Sequence, residues 1–166
     1  MRRQFATLTI ALCLASCTGC PTSSGTSAGG ASDKIWGQQG VADGRFQRPR
    51  AIAIDGKDRI YIVDMTARIQ VFNSAGEFIR SWRTPEWTNG KPSGLSINSD
   101  GNLLVADTHY FRMLVYTPEG ELLTESTIGG ETGSAPGQFG FVTDIVEDSL
   151  GNYYIAEYGE FDRIQK

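Results

Sequence analysis

The chain has 166 residues, 40% of them apolar, a formal charge of −4 and three cysteines. That is room for one domain and an accessory segment, and an acidic balance repels phosphate backbones, so no nucleic-acid partner is expected. Cys13, Cys17 and Cys20 all fall within the first 20 residues, so residues 21–166 hold neither a disulfide nor a thiolate zinc site.

Met1-Arg2-Arg3 is a basic start, and residues 5–15 form an apolar run of about eleven residues. A bilayer span needs roughly 20, whereas a secretory leader needs no more than this. Leu14-Ala15-Ser16-Cys17 follows in the order of a bacterial lipobox: aliphatic, small, small, cysteine. Residues 1–16 are therefore expected to be a lipoprotein signal peptide and Cys17 the lipidated residue. Residues 17–33 read as a Ser/Gly/Thr tether, because 21–31 have almost nothing apolar to bury. The expected place is the bacterial cell envelope, with the exported chain held to a membrane by its N-terminal lipid.

From here the chain repeats itself, and fixed-period self-similarity outranks local propensity as a guide to fold. Pro49-Arg50-Ala51-Ile52-Ala53-Ile54 returns 43 residues later at Pro92-Ser93-Gly94-Leu95-Ser96-Ile97. It returns again, 50 residues on, at Val142-Thr143-Asp144-Ile145-Val146-Glu147. Ile60-Tyr61-Ile62-Val63-Asp64 matches Leu103-Leu104-Val105-Ala106-Asp107 and Tyr153-Tyr154-Ile155-Ala156-Glu157; Arg68-Ile69-Gln70-Val71-Phe72 matches Arg112-Met113-Leu114-Val115-Tyr116 and, in part, Arg163-Ile164-Gln165. A fourth run, Gly76-Glu77-Phe78-Ile79, is matched by Gly120-Glu121-Leu122-Leu123. Turn residues separate the runs. Ile60 and Ile62 face one way and Tyr61 and Val63 the other, so both faces of the strand are apolar, as in sheets covered on both sides. Ahead of the first unit, Asp33-Lys34-Ile35-Trp36-Gly37 aligns with Ser81-Trp82 and Thr127-Ile128-Gly129, which makes it an orphan outer strand.

On these residues, and on the approaches Gly44-Arg45-Phe46-Gln47-Arg48-Pro49 and Gly137-Gln138-Phe139-Gly140-Phe141-Val142, the chain resembles the NHL-repeat family over residues 34–166. The resemblance implies an all-β fold, an incomplete β-propeller. It would have about two and three-quarter four-stranded antiparallel blades (about 46–82, 89–128 and 139–166) plus an N-terminal closing strand. Propellers of this family commonly have about six blades. The chain is accordingly expected to be a fragment of a longer one, with self-association through the open ring as the competing expectation.

Asp64, Asp107 and Glu157 end the second run of each unit, and Arg68, Arg112 and Arg163 open the third. A feature present in every unit suits a structural corner, not a catalytic acid, so no catalytic residue is expected. Trp87, His109, Tyr110, Phe111, Tyr158 and Phe161 fall on one rim and are the ligand-face candidates, since aromatics anchor interfaces. Asp144 replaces Ala51 and Gly94 on the innermost run; it is the one metal candidate, with a turn-satisfying or solvated carboxylate as the alternative. No cofactor is evident, although a complete ring of this kind has room for a divalent cation such as calcium. The function expected is a non-catalytic binding or scaffold module taking a protein or carbohydrate on the rim. The alternative is a metal-dependent propeller enzyme, lactonase-like or lyase-like, whose ligands lie in further blades. His109 is the sole histidine, so this chain builds no polyhistidine zinc site.

Overall fold

The structure, a computed structural model, describes residues 33–166. The leader, Cys17 and all but the last residue of the tether lie outside the described residues. Two short strands, β1 (Gln38–Gln39) and β2 (Arg45–Phe46), pair in parallel. Three antiparallel meanders follow. The first runs β3 (Pro49–Ile54), β4 (Ile60–Asp64), β5 (Arg68–Phe72), β6 (Phe78–Arg83). The second runs β7 (Gly94–Ile97), β8 (Leu103–Asp107), β9 (Arg112–Tyr116), β10 (Ile128–Gly129). The third has β11 (Phe141–Glu147), β12 (Tyr153–Tyr158) and β13 (Arg163–Gln165).

Local chemistry explains why the first two strands of each sheet turn back. Asp55 Oδ1 accepts the N–H groups of Lys57 and Arg59 at 2.9 and 3.0 Å, while Oδ2 takes Arg59 Nε at 2.7 Å and the Tyr61 hydroxyl at 2.9 Å. Burial alone would raise this carboxyl; its four donors more than offset that and hold it below the usual value. Asp148 repeats the arrangement with the N–H groups of Leu150 and Asn152, both at 2.9 Å, and the Tyr154 hydroxyl at 3.1 Å.

The sheets stack face to face with their first strands innermost: β3 packs along β7, and β7 along β11. Between the first and second sheets lie Tyr61, Val63, Ile69, Val71, Leu95, Leu103, Val105 and Leu114; between the second and third lie Leu104, Ala106, Met113, Val115, Phe139, Ile145 and Ile155. β8 and β9 of the middle sheet are thus covered on both sides. The molecule is an all-β, incomplete β-propeller.

Two elements differ in detail from the sequence expectation. The fourth strand of the second sheet is not continuous from Gly120. Only Leu122 bridges back to Tyr116, a 3₁₀ turn at Thr124–Ser126 intervenes, and pairing resumes at β10. Residues 33–37, before β1, do not form a strand, yet Trp36 stands where an outer strand belongs. Its ring lies 4.8 Å from that of Phe72 and against Gly76, just as Trp82 of β6 lies 5.7 Å from Tyr116 and against Gly120. Gly76 and Gly120 have φ of +75° and +97°, and a Cβ on either would fall 2.8 or 2.6 Å from the indole. Trp36 therefore treats the first sheet as Trp82 treats the second.

Candidate functional site

The turns between second and third strands meet the inter-sheet crossings on one rim. The second sheet's turn, a 3₁₀ turn at Thr108–Tyr110 closed by Phe111 in the left-handed region (φ 54°), presents three consecutive aromatic rings. Phe141, at the start of β11, joins them to the third sheet. Its ring centroid is 5.0 Å from His109, 5.8 Å from Phe111 and 5.2 Å from Tyr158, its register partner across β11–β12. His109, Phe111, Phe141 and Tyr158 thus form one row across two sheets, with Tyr158 exposed and the others half-buried. His109 lies against Gly90, and its Nδ1 is buried with no hydrogen-bond partner among the described residues.

The remaining rim aromatics sit beside cations. Tyr110 underlies the Arg112 guanidinium at 5.2 Å and accepts the Asn89 N–H at 3.1 Å. Phe161 underlies Arg163 at 5.0 Å, and the exposed Trp87 underlies Arg83 at 5.4 Å. The structure joins neither Trp87 nor Phe161 to the ring row. Phe141 is the member that sequence reasoning missed; its signal is an aromatic ring where the other units have Arg48 and Lys91.

At the corners, Asp64 Oδ2 accepts the Gln47 N–H at 3.1 Å and pairs with Arg68 at 3.2 Å. Asp107 Oδ2 pairs with Arg112 Nε at 2.9 Å, and Arg112 reaches on to Glu86 at 2.6 Å. Glu157 accepts the Gly140 N–H and pairs with Arg163 at 2.6 Å. Burial pushes the Asp107 carboxyl up, with Arg112 opposing it, and Asp107 Oδ1 has no hydrogen-bond partner among the described residues. Burial acts on Glu157 in the same direction, but Arg163, Gln165 and the Gly140 N–H hold it below its usual value.

A second device was also missed. Arg68 donates to the carbonyls of Val41 and Arg45 at 2.6 and 2.8 Å, while Gln70 donates to Arg45 at 2.8 Å and accepts the Gly44 N–H at 2.9 Å. Arg163 and Gln165 do the same to the carbonyls of Ser134 and Gln138 and to the Gly137 N–H. Each pair clamps the approach loop of its own sheet. The signal is Arg-x-Gln in units one and three against Arg112-Met113-Leu114 in unit two.

Asp144 lies exposed at an irregularity in β11, its Oδ1 accepting the N–H of Ile145 at 2.9 Å. Among the described residues no three His, Cys, Asp or Glu side chains converge enough to hold a metal ion, Asp144 included.

One repeat carries a family signature. Residues 89–116 match the NHL repeat. They supply β7, β8, β9 and the aromatic turn between the last two. No curated protein sequence matches the chain. Among solved structures it is similar to a streptogramin B lyase, at 16% identity over 76% of this chain and 38% of that one, with a TM-score of 0.56. It is also similar to a catalytically inactive virginiamycin B lyase from Staphylococcus aureus with quinupristin (13% identity, 70% and 40% covered, TM-score 0.53). A third likeness is to the WD40 β-propeller domain of Doa1 (13% identity, 64% and 32% covered, TM-score 0.50). At such identities the likeness is one of fold. The chain spans 32–40% of the length of these structures.

Proposed function

We propose that this chain is an envelope-anchored NHL-repeat lipoprotein acting as a non-catalytic binding module, with the rim of the second and third sheets as its ligand face. The observation that carries the reading is the row His109–Phe111–Phe141–Tyr158, which offers contiguous aromatic surface of the kind that dominates recognition energetics. Asp64, Arg68, Asp107, Arg112, Glu157 and Arg163 support the rim as corners. The ordered basic, apolar and lipobox segments ending at Cys17 support the anchor.

Both halves are open to test on the full chain. In bacteria fed radiolabelled palmitate, the wild type is expected to incorporate label and Cys17→Ser is not; an unlabelled wild type overturns the anchor. On glycan and peptide panels, a ligand of the detergent-solubilised protein is expected to lose affinity about tenfold, ~1.4 kcal/mol, in Tyr158→Ala. Ile79→Ala, on the first sheet, is expected to leave binding unchanged. Ligands indifferent to Tyr158, or none on either panel, overturn the rim.

A further inference from the structure

We infer that Asn89 is a self-modifying residue: the Gly90 nitrogen attacks its side-chain amide, with His109 as the base, and converts it to aspartate and isoaspartate. This goes beyond the binding role and stands whether or not the rim takes a ligand.

The repeat marks the place. Gln47, Gly90 and Gly140 align, each two residues ahead of Pro49, Pro92 and Val142. In the first sheet the Gln47 N–H donates to Asp64 Oδ2 at 3.1 Å, and in the third the Gly140 N–H donates to Glu157 Oε2. The second sheet lacks this bond. The Gly90 N–H and Asp107 Oδ1 are each without a hydrogen-bond partner among the described residues. His109 stands at the gap: its Cγ and Nδ1 each lie 2.2 Å from where a Cβ on Gly90 would be, so the imidazole is pressed against the Gly90 backbone. Nδ1 is itself buried and unpartnered among the described residues. Loose polar groups gathered at one place in a folded chain call for a role.

Asn89 is the only asparagine followed by glycine. Without a Cβ, the Gly90 nitrogen is open to its neighbour's side chain. Asn89 is exposed at a bend outside every strand, tied by its backbone N–H to the Tyr110 hydroxyl at 3.1 Å, while its side-chain amide has no partner among the described residues. The other amides are held. Asn73 is bonded at both ends by Glu77 at 2.9 and 2.8 Å, and Asn98 by the Asn102 N–H at 2.8 Å and the Tyr153 hydroxyl at 3.2 Å. Asn152 donates to Asp148 at 3.0 and 2.9 Å, and Asn102 is followed by Leu103, fixed in β8.

A peptide nitrogen becomes a nucleophile as its proton is removed, and a neutral imidazole with its proton on Nε2 offers the Nδ1 lone pair to take it. Adjacency on the chain supplies the proximity. Nδ1 takes the Gly90 amide proton as the nitrogen bonds to Asn89 Cγ. The imidazolium returns that proton to the side-chain nitrogen, which leaves as ammonia when its bond to Cγ breaks and the five-membered imide closes. Water then opens the imide at either carbonyl, leaving aspartate or isoaspartate. Water enters, ammonia departs, and nothing is oxidised or reduced. The new carboxylate arises beside Tyr110, whose ring carries the Arg112 guanidinium at 5.2 Å.

The test follows the full, detergent-solubilised chain at neutral pH, digested and read by mass spectrometry for amide-to-acid conversion, with isoaspartate resolved by chromatography. General-base assistance contributes about 10²–10⁴-fold, so native Asn89 is expected to convert at least ~tenfold faster than in the same chain unfolded in guanidinium chloride. It is also expected to outpace native Asn73 and Asn98. His109→Phe keeps a ring against Phe141 and offers no acceptor; it is expected to convert no faster than the unfolded chain. In His109→Ala, added imidazole is expected to restore conversion, and in His109→Phe it is not. A native wild-type rate no faster than the unfolded one, a wild-type rate in folded His109→Phe, or an equal imidazole effect in the two variants would each overturn the inference.

Discussion

Arg68 and Arg163 clamp equivalent loops, but their surroundings differ. The Arg68 side chain is 7% exposed against an Asp64 side chain at 1%; the Arg163 side chain is 30% exposed. The carboxylates they face are alike, Asp64 at 1% and Glu157 at 0% side-chain exposure, and removing one partner of a buried pair strands the other's charge at a cost of about 3–5 kcal/mol. Arg68→Met and Arg163→Met should therefore each destabilise the chain by about 3 kcal/mol, read from urea denaturation midpoints. A much smaller loss in Arg163→Met would mean that the exposure of the arginine, and not the burial of the carboxylate, sets the cost. Asp148 belongs at the same scale. The hydrogen bonds from Asn152 lead those that hold its carboxyl down to about 2, from an ordinary 3.8. A depressed acid contributes stability above its unfolded value and loses it as pH falls through the folded one. The deficit of Asp148→Asn in thermal melts should thus be constant at neutral pH, shrink below pH 3.8 and vanish near pH 2.

At the scale of the element, the indole-on-glycine contact is a joint between neighbouring sheets. Gly120→Ala must hold a left-handed backbone and also displace Trp82, whereas Gly101→Ala, at φ +82°, meets nothing within 4 Å. Both substitutions incur a backbone cost of about 1–3 kcal/mol, but only Gly120→Ala adds a clash of similar size. Thermal melts should place Gly120→Ala clearly lower. Much at this scale is legible in the sequence, because strands with two apolar faces and Asx turns recur at matching positions. Phe141 left only a faint mark, an aromatic ring in the approach segment where the other units have Arg48 and Lys91, and its role depends on ring contacts between sheets that no periodicity encodes. The interrupted fourth strand of the second sheet was obscured for a related reason. Leu122-Leu123 carries the pattern of a strand, but the 3₁₀ turn at Thr124–Ser126 carries the chain away before β10 resumes the pairing.

For the whole molecule, the stacking of sheets was legible and the fate of its ends was not. The repeat shows that each unit needs a neighbour, because its inner strands have no polar face, but a repeat says nothing about what covers the first and last copies. The structure adds that the outer face of the first sheet is partly dressed: Trp36 and Phe46 lie over Phe72, and Gln70 holds the loop above it, while Ile52 and Ile54 on β3 stay exposed. The row His109–Phe111–Phe141–Tyr158 lies at the other junction, between the second and third sheets.

The middle sheet alone has both flanks occupied, by the clusters around Val105 and around Met113. Under tension applied at the N-terminal end, Trp36 and the parallel pair of β1 and β2 would peel first, exposing Phe72. The first sheet would then unzip from its outer edge, and the middle sheet would be the last to part.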